Sequence, residues 1–226
     1  MAIELVVFDI AGTTVTDKGN VKESFLKAFK QAGYPVPEEV VNSVMGYRKV
    51  DAIKMLLEKY YPPQKENEIL IAEIHFSFTS DMIRFYEETE LSPLPHAAET
   101  FQQLKENGIK IALNTGFTQA ITNTILKRIG WNDNGTVDYV ISSDEVPYGR
   151  PHPHMIQKIK NELNIKDVQA IAKVGDTEVD IVEGQNAGCG LVISVTTGAY
   201  TRDQLKEYHP DYIIDSLAEL PAIIEQ

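Results

Sequence analysis

Ile3-Glu4-Leu5-Val6-Val7-Phe8-Asp9-Ile10-Ala11-Gly12-Thr13-Thr14 is an apolar run that ends on a carboxylate and passes into a glycine-containing turn. An apolar run of this length suits a strand buried on both faces, as in a parallel sheet covered by helices. Similar runs, rich in Val and Ile and bounded by Gly, Asp or Asn, recur at residues 110–113, 139–141, 171–174, 191–195 and 212–214. Helical patterns lie between them at 97–107, 119–129, 153–163 and 180–186, with helix stops at Asn107-Gly108 and Ala187-Gly188. Strand and helix alternating in this way predict an α/β fold, a doubly wound, Rossmann-like parallel sheet.

From about residue 21 to about residue 90 the rhythm breaks. Helical patterns at 21–31, 51–60 and 69–88 follow one another with no strand between them, and the stretch ends at Ser92-Pro93-Leu94-Pro95. This predicts a helical cap (17–92) inserted into a discontinuous core (1–16 and 93–226). Ligands of open α/β sheets bind at the carboxyl ends of the strands. An insert leaving just after the first strand would cover that edge.

The charge is 21 − 33 = −12, which repels nucleic-acid phosphates and anionic lipid. Neither a nucleic acid nor a membrane is an expected partner, and no apolar run reaches the roughly 18 residues of a membrane helix. Met1-Ala2-Ile3-Glu4 reads as the approach to a first strand and not as a signal peptide. The single cysteine, Cys189, sits among small residues as a packed thiol, and a reducing, cytoplasmic setting fits best. A phosphate-bearing substrate would need a local patch of cations to overcome the acidic surface.

Four strand ends offer such chemistry. Asp9 follows the first strand and, taken alone, reads as a turn residue. Leu113-Asn114-Thr115-Gly116 adds a hydroxyl, Val146-Pro147-Tyr148-Gly149-Arg150-Pro151 a cation, and Lys173-Val174-Gly175-Asp176-Thr177-Glu178-Val179-Asp180 further carboxylates. A carboxylate can attack phosphorus and form an aspartyl-phosphate, with Mg2+ neutralising charge and orienting oxygens. Asp9 and Asp176 suit Mg2+ ligation, with Asp180 one layer further out. Thr115 and Arg150, with the backbone N–H groups of the loop at Gly12 and Thr13, suit phosphoryl oxygens. Elsewhere, His152-Pro153-His154 reads as a loop beside Arg150 and not as a zinc pair. His75 and His96 stand alone, and the aromatics of the helical stretch read as its core.

Asp9-Ile10-Ala11-Gly12-Thr13, Thr115-Gly116, Arg150 and Gly175-Asp176-Thr177 with Asp180 resemble, in order, the four signature motifs of the haloacid dehalogenase superfamily. They span nearly the whole chain. That family's phosphatases carry an acid two residues after the nucleophile, where this chain has Ala11. The string Asp-x-Ala-Gly-Thr-Thr-Val instead looks like the phosphonatase (phosphonoacetaldehyde hydrolase) branch. Met45-Gly46-Tyr47-Arg48-Lys49-Val50-Asp51 is similar to the cap segment carrying that branch's Schiff-base lysine, with Lys49 on the lysine itself. The resemblance implies Asp9, Lys49, Thr115 and Arg150 as catalytic residues. It implies Met45, Gly46 and Gly116 beside Gly12 and Thr13 at the substrate, and the Ala11 backbone carbonyl beside Asp9 and Asp176 on Mg2+. It further implies a small phosphonate or phosphate substrate and a homodimer. Ala52 stands where that branch has a histidine, and Phe117 where it has a tyrosine.

Ala11 and Lys49 explain each other. Cleaving a P–C bond leaves a carbanion, for which an imine is an electron sink and a proton donor is of little use. Two other readings remain. Asp211-Tyr212-Ile213-Ile214-Asp215-Ser216-Leu217 and Gly46-x-x-Lys49-x-Asp51 also resemble the phosphoglycolate phosphatase and β-phosphoglucomutase branches, which implies a phosphomonoesterase acting on a small ester. The other is a catalytically silent phospho-ligand sensor that keeps the fold.

Overall fold

The computed structural model describes residues 2–132 and 134–225. In chain order its strands are β1 (Leu5–Phe8), β2 (Lys110–Thr115), β3 (Tyr139–Ser142), β4 (Ile171–Gly175), β5 (Leu191–Val195) and β6 (Tyr212–Ile214). Its helices are α1 (Asn20–Gln31), α2 (Glu38–Val41), α3 (Lys49–Tyr60), α4 (Glu68–Glu88), α5 (Ala97–Glu106), α6 (Gln119–Ile129), α7 (His154–Glu162), α8 (Glu178–Ala187), α9 (Arg202–Lys206) and α10 (Leu220–Ile224). The strands form one sheet in the order β3-β2-β1-β4-β5-β6, and every neighbouring pair is parallel. This is the doubly wound sheet that the sequence predicts.

β1 shows why these strands are uniformly apolar. Val6 and Phe8 point into the cluster shared with α5, α6 and the helical insert, while Leu5 and Val7 point into a second cluster with Met155, Ile156 and Ile159 of α7. Both faces are covered, so there is no solvent face to alternate towards. The order reverses between β1 and its neighbours β2 and β4, which places the carboxyl end of β1 at the topological switch point.

Residues 20–88 hold α1 to α4 and, among the described residues, no strand. The two chain crossings that flank them run side by side: Thr16 N–H donates to Ser92 O at 3.3 Å, and Leu94 N–H donates to Thr14 O at 2.8 Å. We propose the division into 1–16 plus 93–226 and 17–92 at this paired crossing. α1 packs on α4 through Phe25 and Phe78, whose ring centres lie 4.5 Å apart. No described helix is long and apolar enough to cross a membrane.

Several elements differ at their ends from the sequence reading. β2 runs on to Thr115 because its parallel pairing with β3 continues to Thr115 opposite Ser142. α8 starts at Glu178, two residues early, because the Asp180 carboxylate folds back onto Thr177, accepting its N–H at 3.2 Å and its hydroxyl at 2.6 Å. α3 starts at Lys49 rather than at 51, which puts that lysine in the first turn of the helix.

Candidate active site

Asp9 stands one residue beyond β1 and is 4% exposed; its backbone N–H is held by Val174 O of β4 at 2.9 Å. Asp176 follows β4, and Asp180 lies in the first turn of α8. The parallel register of β1 and β4 brings these carboxylates together. One oxygen from each of Asp9, Asp176 and Asp180 lies within 4.8 Å of the others, and all three residues are buried. Asp176 accepts the Thr13 hydroxyl at 3.0 Å and the Ala199 N–H at 2.7 Å.

Three buried carboxylates this close oppose one another's ionisation. Burial, followed by the charges of Asp9 and Asp180, pushes Asp176 up to about 8. Burial also raises Asp9, against the pull of Arg150. Asp180 goes the other way: burial would raise it, but Arg150 and Lys173 outweigh burial and hold it at about 2. An all-oxygen set with uncompensated negative charge suits a hard divalent cation, which would return Asp9 and Asp176 to the ionised form.

Arg150 closes this acidic end. Through one guanidinium nitrogen it donates to Asp9 Oδ1 at 2.8 Å and is also ion-paired with Asp180. It is 2% exposed, and its Nε is a buried donor with no partner among the described residues. A buried guanidinium with a spare donor beside a nucleophilic carboxylate suits a phosphoryl oxygen. The Thr115 hydroxyl, at the end of β2, accepts the Phe117 N–H at 3.2 Å and keeps its own proton to donate.

The insert supplies the opposite wall. Gly46 sits at φ +79°, and a Cβ there would lie 2.5 Å from both Thr177 Oγ1 and Val179 Cγ2. A Cβ on Gly116 would lie 2.4 Å from Tyr47 O, so both glycines are needed for the segment at 45–49 to sit on the strand ends. Lys49 is thereby 3% exposed, with its amine donating to Tyr47 O at 3.2 Å. Its amine lies 5.0 Å from the Phe117 ring centre and 5.8 Å from that of Phe25. Burial, then repulsion from Arg150, lowers Lys49 to about 8 against the attraction of Asp9, Asp17 and Asp176.

These groups enclose a cavity of about 30 Å³. Among the residues singled out from sequence, Asp9, Ala11, Met45, Gly46, Lys49, Thr115, Gly116, Arg150 and Asp176 line it. Gly12, Thr13 and Asp180 do not. The Gly12 N–H donates to Val15 O at 2.8 Å and the Thr13 N–H to Ile10 O at 3.3 Å. The Thr13 hydroxyl is spent on Asp176, and Asp180 is held by Arg150, Lys173 and Thr177. The lining also includes Asp17, Val21, Phe117, Thr177 and Ala199.

Sequence reasoning missed a second layer. The Lys173 amine lies 2.9 Å from Asp180 Oδ1 and 3.7 Å from Glu183 Oε2, and donates to Asn114 Oδ1 at 2.8 Å. The Asn114 amide donates to both oxygens of Glu183, at 3.0 and 2.8 Å. The signal was present: a lysine inside the apolar run Ile171-Ala172-Lys173-Val174 must have buried partners.

The family model for haloacid dehalogenase-like hydrolases matches residues 3–188. The phosphonoacetaldehyde hydrolase of Bacillus cytotoxicus is 30% identical over 259 aligned residues, covering 100% of this chain and 96% of that protein. The crystal structure of a phosphonoacetaldehyde hydrolase-like protein from Oleispira antarctica is 25% identical with a TM-score of 0.84, covering 100% and 92% of the two chains. A predicted phosphoglycolate phosphatase from Haemophilus somnus shares the fold, with a TM-score of 0.80 at 22% identity over 98% and 97% of the two chains.

Proposed function

Because this chain belongs to the haloacid dehalogenase-like hydrolase family, we propose that it cleaves the P–C bond of phosphonoacetaldehyde or a closely related carbonyl phosphonate. The observation that carries the reading is the pairing of Ala11 with Lys49 across one cavity. A side chain that cannot donate a proton faces a buried amine whose proton affinity is lowered to about 8. A phosphomonoesterase has the opposite requirement, a proton for the departing alkoxide, a contribution of typically about 10²–10⁴-fold in rate.

Asp9, Asp176 and the Ala11 backbone carbonyl would hold Mg2+, which when bound neutralises the phosphonate and the attacking carboxylate. Arg150, with its unpartnered Nε, and Thr115 bind the phosphoryl oxygens. The neutral Lys49 amine adds to the aldehyde carbon and, taking up a proton from solvent and losing water, forms an imine protonated on nitrogen. The Asp9 carboxylate then attacks phosphorus in line with the P–C bond. That bond breaks, its electron pair moves into the imine to leave an enamine, and phosphorus stays on Asp9 as an acyl phosphate. Water hydrolyses the acyl phosphate. The enamine takes a proton at carbon, and a second water frees acetaldehyde and Lys49. Burial and the Arg150 charge favour the neutral form of the amine, against the pull of the Phe117 and Phe25 ring faces.

The test is turnover of phosphonoacetaldehyde with Mg2+, following acetaldehyde and phosphate together. Asp9→Ala and Lys49→Arg serve as controls. Equal release of both products by the wild type, lost in both variants, is the expected result. Silence on the phosphonate with hydrolysis of a small phosphate ester would overturn the reading in favour of a phosphomonoesterase.

A further inference from the structure

Beyond the cavity, one carboxylate collects three phenols. Glu178, at the start of α8, accepts the Tyr47 hydroxyl on Oε1 at 2.8 Å. On Oε2 it accepts the Tyr208 hydroxyl at 2.5 Å and the Tyr200 hydroxyl at 3.4 Å. Tyr200 and Tyr208 come from segments flanking α9 on the sheet side of the molecule, whereas Tyr47 belongs to the helical insert. None of the four lines the cavity. Glu178 is thus fixed by the core on one oxygen and reaches across to the insert with the other.

What Tyr47 carries gives this contact a consequence. It lies between Gly46, which lines the cavity, and α3, whose first residue is Lys49. The Tyr47 carbonyl accepts the Lys49 amine and packs on Gly116. Next to it, the Arg48 guanidinium donates to Pro147 O at 3.0 Å, on the loop that leads to Arg150. The enclosed space of about 30 Å³ holds about two water molecules, too little for a two-carbon phosphonate. Lifting of the segment at 45–49 to admit a ligand breaks two side-chain bonds to the core, Tyr47 to Glu178 and Arg48 to Pro147 O.

We propose that Glu178 is a positioning residue: through Tyr47 it holds the segment at 45–49 closed on the strand ends and so keeps the Lys49 amine buried. Tyr200 and Tyr208 hold the carboxylate in place, so that closure meets a fixed acceptor. This rests on the reading above only in treating Lys49 as the amine that matters, and its test needs no substrate.

The experiment uses the full chain and the variants Tyr47→Phe, Glu178→Ala and the double variant, with Tyr208→Phe as a control that leaves the bridge to the insert intact. Hydrogen exchange at residues 45–49 and the rate of Lys49 acylation by acetic anhydride are followed, the latter against pH and relative to exposed lysines. The groups acting on that amine are Arg150, Asp9, Asp17, Asp176 and His75, and all of them are unchanged in these variants. A hydrogen bond to a charged acceptor leads us to expect about tenfold faster exchange in Tyr47→Phe, and faster acylation above the midpoint, where the amine is neutral. The acylation midpoint should move up towards an ordinary lysine, and melting should be little altered. The double variant should match Glu178→Ala at residues 45–49, because both lack the bond between Tyr47 and Glu178. Wild-type exchange and midpoint in Tyr47→Phe, or additive effects in the double variant, would overturn the proposal. Turnover of phosphonoacetaldehyde is a separate question, so either reading can fail without the other.

Discussion

The Lys49 amine stands 5.0 Å from the centre of the Phe117 ring, with Arg150 near enough to repel it. The two neighbours act in opposite directions. The ring face attracts the ammonium form, by about 0.5–2 kcal/mol when water is excluded. Burial and Arg150 disfavour it and win, which leaves the amine at about 8. At pH 7 about one Lys49 in ten is then neutral, far more than for an ordinary lysine.

The pH profile follows from that balance. Imine formation requires the neutral amine, so kcat/KM for a carbonyl phosphonate should rise tenfold per pH unit below 8 and flatten above it. Phe117→Leu removes the ring's attraction while keeping the site apolar, so the midpoint should fall by up to about one unit. An initial-rate profile between pH 6 and 9.5 reads both, and an unmoved midpoint in Phe117→Leu would rule out the ring as a determinant.

Asp17 is the test from the other side. It lines the cavity, its Oδ1 accepts the N–H groups of Gly19 and Asn20 at 3.0 and 2.9 Å, and its charge supports the Lys49 ammonium. Asp17→Asn keeps an oxygen to accept those N–H groups but removes the charge. The Lys49 midpoint should therefore fall further below 8. Acylation of Lys49 against pH, followed by mass spectrometry, measures it. A rise would mean that the variant has opened the site.

The fold and the acidic end of this site were legible because each rests on local pattern. Continuous apolar runs marked strands covered on both faces, and Asp9, Thr115, Arg150 and Asp176 each stand just after such a run or in a loop beyond one. Lys173, Glu183 and Asn114 were not read, because their roles appear only once β2, β4 and α8 are adjacent. Glu178 escaped for the same reason: its three phenols lie 22, 30 and 131 positions away in sequence. The resemblance pointed to Lys49, but only the packing of Gly46 and Gly116 explains why its amine is buried.

Lys173 should matter for folding more than any exposed ion pair. Lys173→Met would leave Asp180 with Arg150 as its one paired cation among the described residues, and Glu183 buried with only an amide for company. Breaking a buried network by removing one partner costs about 3–5 kcal/mol. Urea unfolding should show a loss of that size. Glu183 is already raised to about 7 by burial despite Lys173, so it should take up a proton in the variant, which limits the cost at low pH.

Stability against pH separates two acids of the cluster. Asp180, depressed to about 2, contributes stability that is present above its unfolded value of 3.8 and lost as pH falls through 2. Asp176, raised to about 8 without a cation, does the reverse: the folded state loses stability as pH rises from about 4 to 8. Mg2+ should remove that loss. Its stabilisation, about 2.7 kcal/mol at a hundredfold excess over Kd, should therefore grow from pH 5 to pH 8. Melting curves with Mg2+ or with a chelator at the two pH values measure it. A Mg2+ effect independent of pH would place the cation away from Asp176.

Ala11 offers the sharpest test of reaction type. It lines the cavity two residues after Asp9, beside Asp176 and Gly116. Ala11→Asp adds a carboxyl group where an alkoxide would depart. Burial among three carboxylates would raise its pKa, which keeps it protonated and able to donate. Hydrolysis of a small phosphate ester should then rise by up to about 10²–10⁴-fold, the usual range for a placed general acid. P–C cleavage should fall, because the larger side chain takes up room in the cavity that it shares with Lys49. Steady-state kinetics on both substrates measures the exchange. If Ala11→Asp gained no esterase activity while still binding Mg2+, the alanine would not be what separates this site from a phosphomonoesterase, and the weight of the assignment would pass to Lys49.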